Sequence, residues 1–188
     1  MNDLLGVARD LQSFCDRRGW QSCLIGGIAV LRWGEPRVTR DVDLTLLTGF
    51  GHEEPLVLAL LEQYGARISD AAGFARINRI LLLESQEGVG IDISLAALPY
   101  EELMIQRASE FSFGPGLSLR TCSAEDLLVT KLFASRPIDV RDAESVALRH
   151  GNDVDWDYVE LHLSPLVELK EDKEILKTLT RLRAGIER

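Results

Sequence analysis

The 188-residue chain is poor in the features that mark extracellular, membrane and fibrous proteins. It has three cysteines, an odd number without zinc-ligand spacing, so neither a disulfide framework nor a zinc site is expected. Its apolar runs are far shorter than the ~18 residues of a membrane span, and its N-terminus lacks the basic segment of a secretory signal. We therefore expect a reduced, cytoplasmic protein that does not enter a membrane.

Basic residues are also in short supply, with 21 Lys and Arg against 30 Asp and Glu and a net charge of −9. A negative chain repels phosphate backbones at long range, which disfavours tight non-specific binding to nucleic acid. The remaining composition, 46% hydrophobic and 27% charged, is typical of globular proteins and excludes disorder of the whole chain. An acidic balance is compatible with carboxylates gathered around a divalent metal.

Hydrophobic periodicity predicts a mixed α/β fold of the α+β type, a mixed sheet flanked by helices. Residues 1–120 are expected to form the core, including an N-terminal helix, and residues 121–188 a helical C-terminal portion packed on it. Polar and apolar residues alternate over Asp41–Leu47, which is typical of a half-buried strand. Arg76–Glu84 and Val89–Leu95 are predicted to form a hairpin, and Leu117–Arg120 an edge strand. Asp139 is predicted to cap a later helix.

The residues that indicate chemistry lie between Gly26 and Asp43, with one more further along the chain. Gly26 and Gly27 stand where a short strand turns into a helix, a place where backbone N–H groups can bind phosphate. Asp41 and Asp43 are two residues apart on a strand and therefore share one face. Paired carboxylates suit Mg²⁺, which proteins hold by one or two carboxylates together with substrate phosphates. A strand beside Asp41–Leu47 would add Asp92 as a third carboxylate, so that one acidic cluster could hold two metals and activate an acceptor hydroxyl.

These motifs resemble the nucleotidyltransferase superfamily related to DNA polymerase beta. The resemblance runs through the Gly26-Gly27 turn, the block Arg37-Val38-Thr39-Arg40-Asp41-Val42-Asp43-Leu44 and the later Ile91-Asp92-Ile93 strand. Within the superfamily, the spacing of Lys131, Ala134, Arg136, Pro137, Asp139 and Asp142 resembles the abortive-infection nucleotidyltransferase toxins of two-gene toxin–antitoxin systems, the AbiEii-like proteins. The second glycine of the turn is often serine in this superfamily, so Gly27 removes a hydroxyl that would contact a phosphate.

The resemblance implies a Mg²⁺-dependent transfer of a nucleoside monophosphate from a nucleoside triphosphate to a tRNA or protein acceptor, with a cognate antitoxin protein as a further partner. Two Mg²⁺ ions, replaceable by Mn²⁺, would be held by Asp41, Asp43 and Asp92. These three aspartates and Lys131 would be catalytic. The nucleotide would be bound by Gly26, Gly27, Arg37, Thr39, Arg40 and Asp142.

Other interpretations of the same residues stay open from the sequence. The protein could modify a small molecule, as antibiotic-modifying relatives do, or be a non-catalytic nucleotide-binding or regulatory module on the same scaffold. Arg37 and Arg40 could bind a triphosphate or form surface ion pairs. Lys131 could reach the phosphates or extend its tip into solvent from a partly buried stem. On the first interpretation of Lys131, its replacement by methionine should weaken triphosphate use and barely change stability. The sequence names neither the base nor the acceptor.

Overall fold

The structure, a computed structural model, describes residues 2–186, and the side chains of residues 4–185. The helices in this part of the chain are α1 (Asn2–Asp16), α2 (Gly26–Trp33), α3 (Glu54–Gln63), α4 (Ala71–Asn78), α5 (Pro99–Arg107), α6 (Ala124–Ala134), α7 (Pro137–His150), α8 (Trp156–Lys170) and α9 (Glu174–Ile186). The strands are β1 (Ser22–Leu24), β2 (Asp41–Leu47), β3 (Gly65–Ala66), β4 (Ile80–Glu84), β5 (Gly90–Ala96), β6 (Ser109–Gly114) and β7 (Leu117–Thr121). Among these residues, no helix is long and apolar enough to cross a membrane.

The strands described form one mixed sheet in the order β3-β4-β5-β2-β1-β7-β6. The β2–β5 and β1–β7 pairs are parallel, and the other neighbours are antiparallel. Helices flank this sheet, so the predicted mixed sheet-and-helix fold is confirmed.

Alternation along the two central strands separates an apolar face of the sheet from a polar face. Val42, Leu44 and Leu46 of β2 are fully buried, and the equivalent residues of β5 share the same core with apolar residues of α1, α3 and α4. The acidic residues of β2 and β5 occupy the alternate positions. Because side chains alternate across a strand, burial of one set directs the carboxylates to the opposite face.

Two predictions about the strands were wrong in detail. Residues 76–78 belong to α4, not to a strand, because the Asp70 side chain accepts a hydrogen bond of 3.0 Å from the Gly73 N–H and so begins a helix. The strand at Leu117 is not an edge strand, because β6 pairs along its outer side. Most of β6 is exposed, so it carries no alternation of apolar residues that would predict it.

The chain divides into two compact units. The first comprises the residues up to Ile28 together with Val38–Cys122, and it contains the sheet. The second comprises Ala29–Arg37 and the chain from Ser123 onwards, including α6 to α9. In the second unit α7 begins at Pro137, after Arg136, and Asp139 lies buried in its first turn. The prediction that Asp139 caps this helix was therefore wrong.

Candidate active site

The acidic residues of the two central strands lie side by side on the polar face of the sheet. Asp43 of β2 is in register with Asp92 of β5, and Asp41 with Gly90. The strand that carries Asp92 therefore pairs beside Asp41–Leu47, as the sequence analysis required for the aspartates to converge. Direct neighbours on paired strands point to the same face, so all three aspartates share it.

The glycine turn packs directly against one of these carboxylates. Gly26 has a φ of +58°, a left-handed conformation that favours glycine, and a methyl group at this position would overlap the carboxylate of Asp43. The Gly27 N–H donates a hydrogen bond of 3.3 Å to Oδ2 of Asp43. Two independent requirements, backbone conformation and space, thus fix glycine at the start of α2. The predicted phosphate-binding turn and a predicted metal ligand, Asp43, are therefore in direct contact.

Thr39 occupies the space beside the second glycine. A methyl group at Gly27 would overlap the hydroxyl oxygen of Thr39, so a side chain at position 27 and the threonine side chain compete for one small volume. The Thr39 hydroxyl lies 3.5 Å from the backbone oxygen of Asp41, at the limit of hydrogen bonding. A hydroxyl is therefore present next to the turn, supplied by position 39 and not by position 27. Arg40, which follows, is exposed.

Arg67 changes the expected geometry of the third carboxylate. Its Nη2 donates to Oδ1 of Asp92 and forms an ion pair with it. In the described part of the chain, no group of three or more His, Cys, Asp or Glu side chains is arranged to hold a metal ion. Asp92 is thus paired with a guanidinium while it shares one face with Asp41 and Asp43, and metal binding by the three aspartates stays a prediction.

Gly90 is a second residue that sequence reasoning missed. A methyl group there would overlap Oδ1 of Asp41 and would lie 3.1 Å from Nη1 of Arg67. The absence of a side chain at Gly90 thus makes room for both groups above β5. The position of Arg67 depends on the pairing of β3, β4 and β5, which a single sequence does not show. A glycine inside the predicted strand Val89–Leu95 was the one available signal for Gly90.

The second unit contains a buried ionic network instead of an open lysine. The ammonium of Lys131 lies 3.0 Å from Oδ1 of Asp139 and 2.7 Å from Oδ2 of Asp142, and all three side chains are buried. Arg37 donates two hydrogen bonds to the carboxylate of Asp142, of 2.7 and 2.8 Å, and Arg136 donates to Asp139. The predicted nucleotide ligands Arg37 and Asp142 and the predicted catalytic residue Lys131 are therefore brought together, with both cations bound to the carboxylate of Asp142.

The network keeps its carboxylates ionised. Burial alone would raise the pKa of Asp139, but hydrogen bonds from Arg136 and Lys131 outweigh burial and lower the pKa below its ordinary value. Burial likewise opposes ionisation of Asp142, and bonds from Arg37 and Lys131 lower its pKa. The expectation that Lys131 is only a charged tip on a partly buried stem was wrong, since its charge is buried between two carboxylates.

The donor set on the sheet suits a hard divalent cation. Asp41 and Asp43 supply carboxylate oxygens on one face, and Mg²⁺ is commonly held by one or two carboxylates, with waters and substrate phosphates completing the octahedron. The chemistry of these residues therefore fits Mg²⁺ and a phosphorylated substrate.

The fold is that of nucleotidyltransferase-like proteins. The sequence pattern of the family described as "Nucleotidyl transferase AbiEii toxin, Type IV TA system" matches residues 21–158. The chain belongs to this AbiEii family and is a nucleotidyltransferase. No curated protein sequence matches the chain.

Two solved structures share the fold at low sequence identity. The crystal structure of an antigenic nucleotidyltransferase-like protein from Paracoccidioides brasiliensis has a TM-score of 0.52 at 16% identity, covering 95% of this chain and 93% of that one. The solution structure of the antibiotic-resistance factor ANT(2'')-Ia has a TM-score of 0.57 at 18% identity, covering 99% of this chain and 92% of the other. At these identities the similarity establishes the fold.

Proposed function

We propose that this protein transfers a nucleoside monophosphate from a nucleoside triphosphate to a tRNA or protein acceptor in the cytoplasm, and that it is the toxin of a toxin–antitoxin pair. The observation that supports this most directly is the packing of the Gly26–Gly27 turn against Asp43, beside Asp92 on the next strand. Membership of the AbiEii family supports the toxin role and a nucleotide substrate in general.

Asp41 and Asp43 would hold the divalent metal, and Asp92 would complete the set once it is no longer bound to Arg67. When bound, Mg²⁺ neutralises charge on the transferring phosphate and on the leaving pyrophosphate. Two Mg²⁺ ions, or Mn²⁺ in their place, fit the number of carboxylates. The three aspartates also set the polarity of the face, because clustered carboxylates attract cations and repel free phosphate.

The turn and Thr39 would bind the triphosphate. The first N–H groups of α2 have no partner within the helix, and such groups bind phosphate oxygens well, although the Gly27 N–H must first leave the carboxylate of Asp43. The hydroxyl of Thr39 lies where a side chain at position 27 would stand, so it can donate the hydrogen bond that Gly27 lacks. The exposed Arg40 would add a positive charge for the phosphates.

In the reaction, an acceptor hydroxyl attacks the α-phosphorus, a new P–O bond forms, and the bond to the β-phosphate breaks to release pyrophosphate. Asp92 would accept the proton of the acceptor hydroxyl. The chain's contribution is thus to position the phosphates and acceptor and to stabilise charge, which is the main requirement of phosphoryl-group chemistry.

Roles for Lys131, Arg37 and Asp142 in binding the nucleotide remain predictions. Their mutual pairing in the second unit favours a role in positioning that unit's own residues, since each charge is already compensated by the others. A direct role would require one of these ion pairs to open for the substrate.

The test is labelled-nucleotide transfer by wild type and by Asp43→Asn, with each of the four triphosphates, Mg²⁺, and total tRNA or cell protein as acceptor. Asparagine retains an oxygen that can accept from the Gly27 N–H but lacks the charge that holds metal, so the variant should melt near the wild-type temperature and lose transfer at least a hundredfold. Asp10→Asn, on the exposed face of α1, is the matched control and should retain full activity.

The location of the label identifies the acceptor, and arrest of growth on expression of wild type but not Asp43→Asn tests the toxin role. Undiminished transfer by Asp43→Asn would overturn the assignment of the site. Transfer to neither macromolecule, but to an added aminoglycoside or similar small molecule, would replace the proposed acceptor by the antibiotic-type one. Absence of both triphosphate binding and transfer in wild type would indicate a non-catalytic module.

A further inference from the structure

Arg67 lies at the end of a row of residues that crosses the sheet at one level. Its backbone N–H donates a hydrogen bond of 3.1 Å to the oxygen of Leu82 on β4. Leu82 is in register with Asp92 on β5, and Asp92 with Asp43 on β2. The backbone of Arg67 is therefore fixed two strands away from Asp92 and three from Asp43, and its side chain needs only to pass Leu82 to reach the carboxylate of Asp92.

The guanidinium of Arg67 lies beside the carboxylates of the polar face, where a positive charge is favoured. It pairs with Asp92, and Nη1 also lies beside the volume above Gly90 into which the carboxylate of Asp41 extends. Neighbouring carboxylates repel one another unless a cation or a proton intervenes. The guanidinium of Arg67 carries a positive charge, so it supplies that cation in the absence of metal.

We infer that Arg67 is an internal competitor of divalent metal: its guanidinium occupies the carboxylate of Asp92, and metal bound by all three aspartates must displace it. This inference rests on the proposed function. It makes Arg67 a positioning residue that acts through Asp92. Displaced by metal, the guanidinium is suited to bind a triphosphate, so metal and nucleotide would favour each other's binding.

The test is the affinity for Mn²⁺ alone, measured by the electron paramagnetic resonance of free Mn²⁺, in wild type, Arg67→Gln, Arg67→Lys and Arg76→Gln. Ion pairs as exposed as Arg67–Asp92, with side chains 28% and 37% exposed, affect such equilibria by factors of roughly 1.5 to 5. Arg67→Gln should therefore bind Mn²⁺ about two- to fivefold more tightly than wild type. Arg67→Lys, which keeps the charge, should return most of the way to the wild-type affinity.

Arg76→Gln removes the same charge from an exposed position on α4 and controls for net charge. Equal tightening in Arg76→Gln, or unchanged or weaker binding in Arg67→Gln, would overturn the inference. A purely structural role for Arg67 would lower the melting temperature and would not tighten metal binding. Asp43→Asn separates this inference from the proposed function: loss of Mn²⁺ binding there, with no change in Arg67→Gln, would overturn the inference alone. Unchanged binding in Asp43→Asn would overturn the metal site itself.

Discussion

At the scale of single residues, the feature with the clearest chemical consequence is the shared volume of Gly27 and Thr39. One side chain fits there, and in this protein the hydroxyl comes from position 39. This shared volume predicts that the hydroxyl can be supplied from position 27 or from position 39, but not from both. A serine at 27 beside the native threonine would overlap it and should destabilise the turn.

Thr39→Val should raise the KM for the triphosphate about tenfold, because valine keeps the shape but lacks the hydroxyl, and a hydrogen bond to a charged group contributes ~1.5 kcal/mol. The double variant Gly27→Ser with Thr39→Gly, which also removes the Thr39 Cβ that a side chain at 27 would overlap, should recover part of the loss seen in Thr39→Gly. Steady-state transfer rates over a range of triphosphate concentrations, at fixed Mg²⁺, give both quantities. Wild-type kinetics in Thr39→Val would show that the hydroxyl does not contact phosphate.

At the scale of helices and strands, the alternation of polar and apolar residues correctly predicts the residues whose surroundings repeat along the chain. β2 has the predicted bounds, because Val42, Leu44 and Leu46 face the core and the two aspartates lie on the other face. The roles of Arg67 and Gly90 could not be predicted from the sequence, because they arise from pairing between strands that are distant in sequence. The burial of Lys131 could not be predicted for a similar reason. Its partners Asp139 and Asp142 come from α7, and Arg37, which also binds Asp142, comes from the loop before β2.

Helix α6 depends on this buried lysine. Lys131→Met would leave the carboxylates of Asp139 and Asp142 buried with less compensation, and removing one partner of a buried ion pair costs roughly 3–5 kcal/mol. The lower end is expected, because Arg37 and Arg136 still bind the two aspartates. Urea unfolding at pH 7 measures this loss of unfolding free energy. The expected loss replaces the prediction from the sequence that Lys131→Met would barely change stability.

Lys177→Met is the matched control for that experiment. Lys177 pairs with Glu174 on α9, with both side chains more than 70% exposed, so its loss should change the free energy of unfolding by less than ~1 kcal/mol. If Lys131→Met unfolds at the same urea concentration as Lys177→Met, the buried network does not stabilise the second unit. Triphosphate kinetics of Lys131→Met, measured at a temperature where it is folded, then separate stability from any direct contact with substrate.

At the scale of the whole molecule, an acidic chain with a net charge of −9 encloses a network in which three cations surround two carboxylates. The pKa values of Asp139 and Asp142 are lowered in the folded protein, because the bonds from lysine and arginine outweigh burial. A carboxyl with a lowered pKa stabilises the folded state above its unfolded pKa of ~3.9 and loses that contribution as the pH falls through the folded value. The second unit should therefore lose stability in acid.

The difference in unfolding free energy between wild type and Lys131→Met isolates this effect from the many other acidic residues. It should be largest near pH 7, where both aspartates are charged, and should shrink as the pH falls below about 4, because protonated carboxyls no longer need the ammonium. Trp20 belongs to the first unit, whereas Trp33 and Trp156 belong to the second, so in a Trp20→Phe background tryptophan fluorescence follows the second unit. Urea titrations in that background, from pH 7 down to pH 3, give the difference at each pH. A difference that stays constant over this range would mean that the stability lost in Lys131→Met does not come from the charge of Lys131.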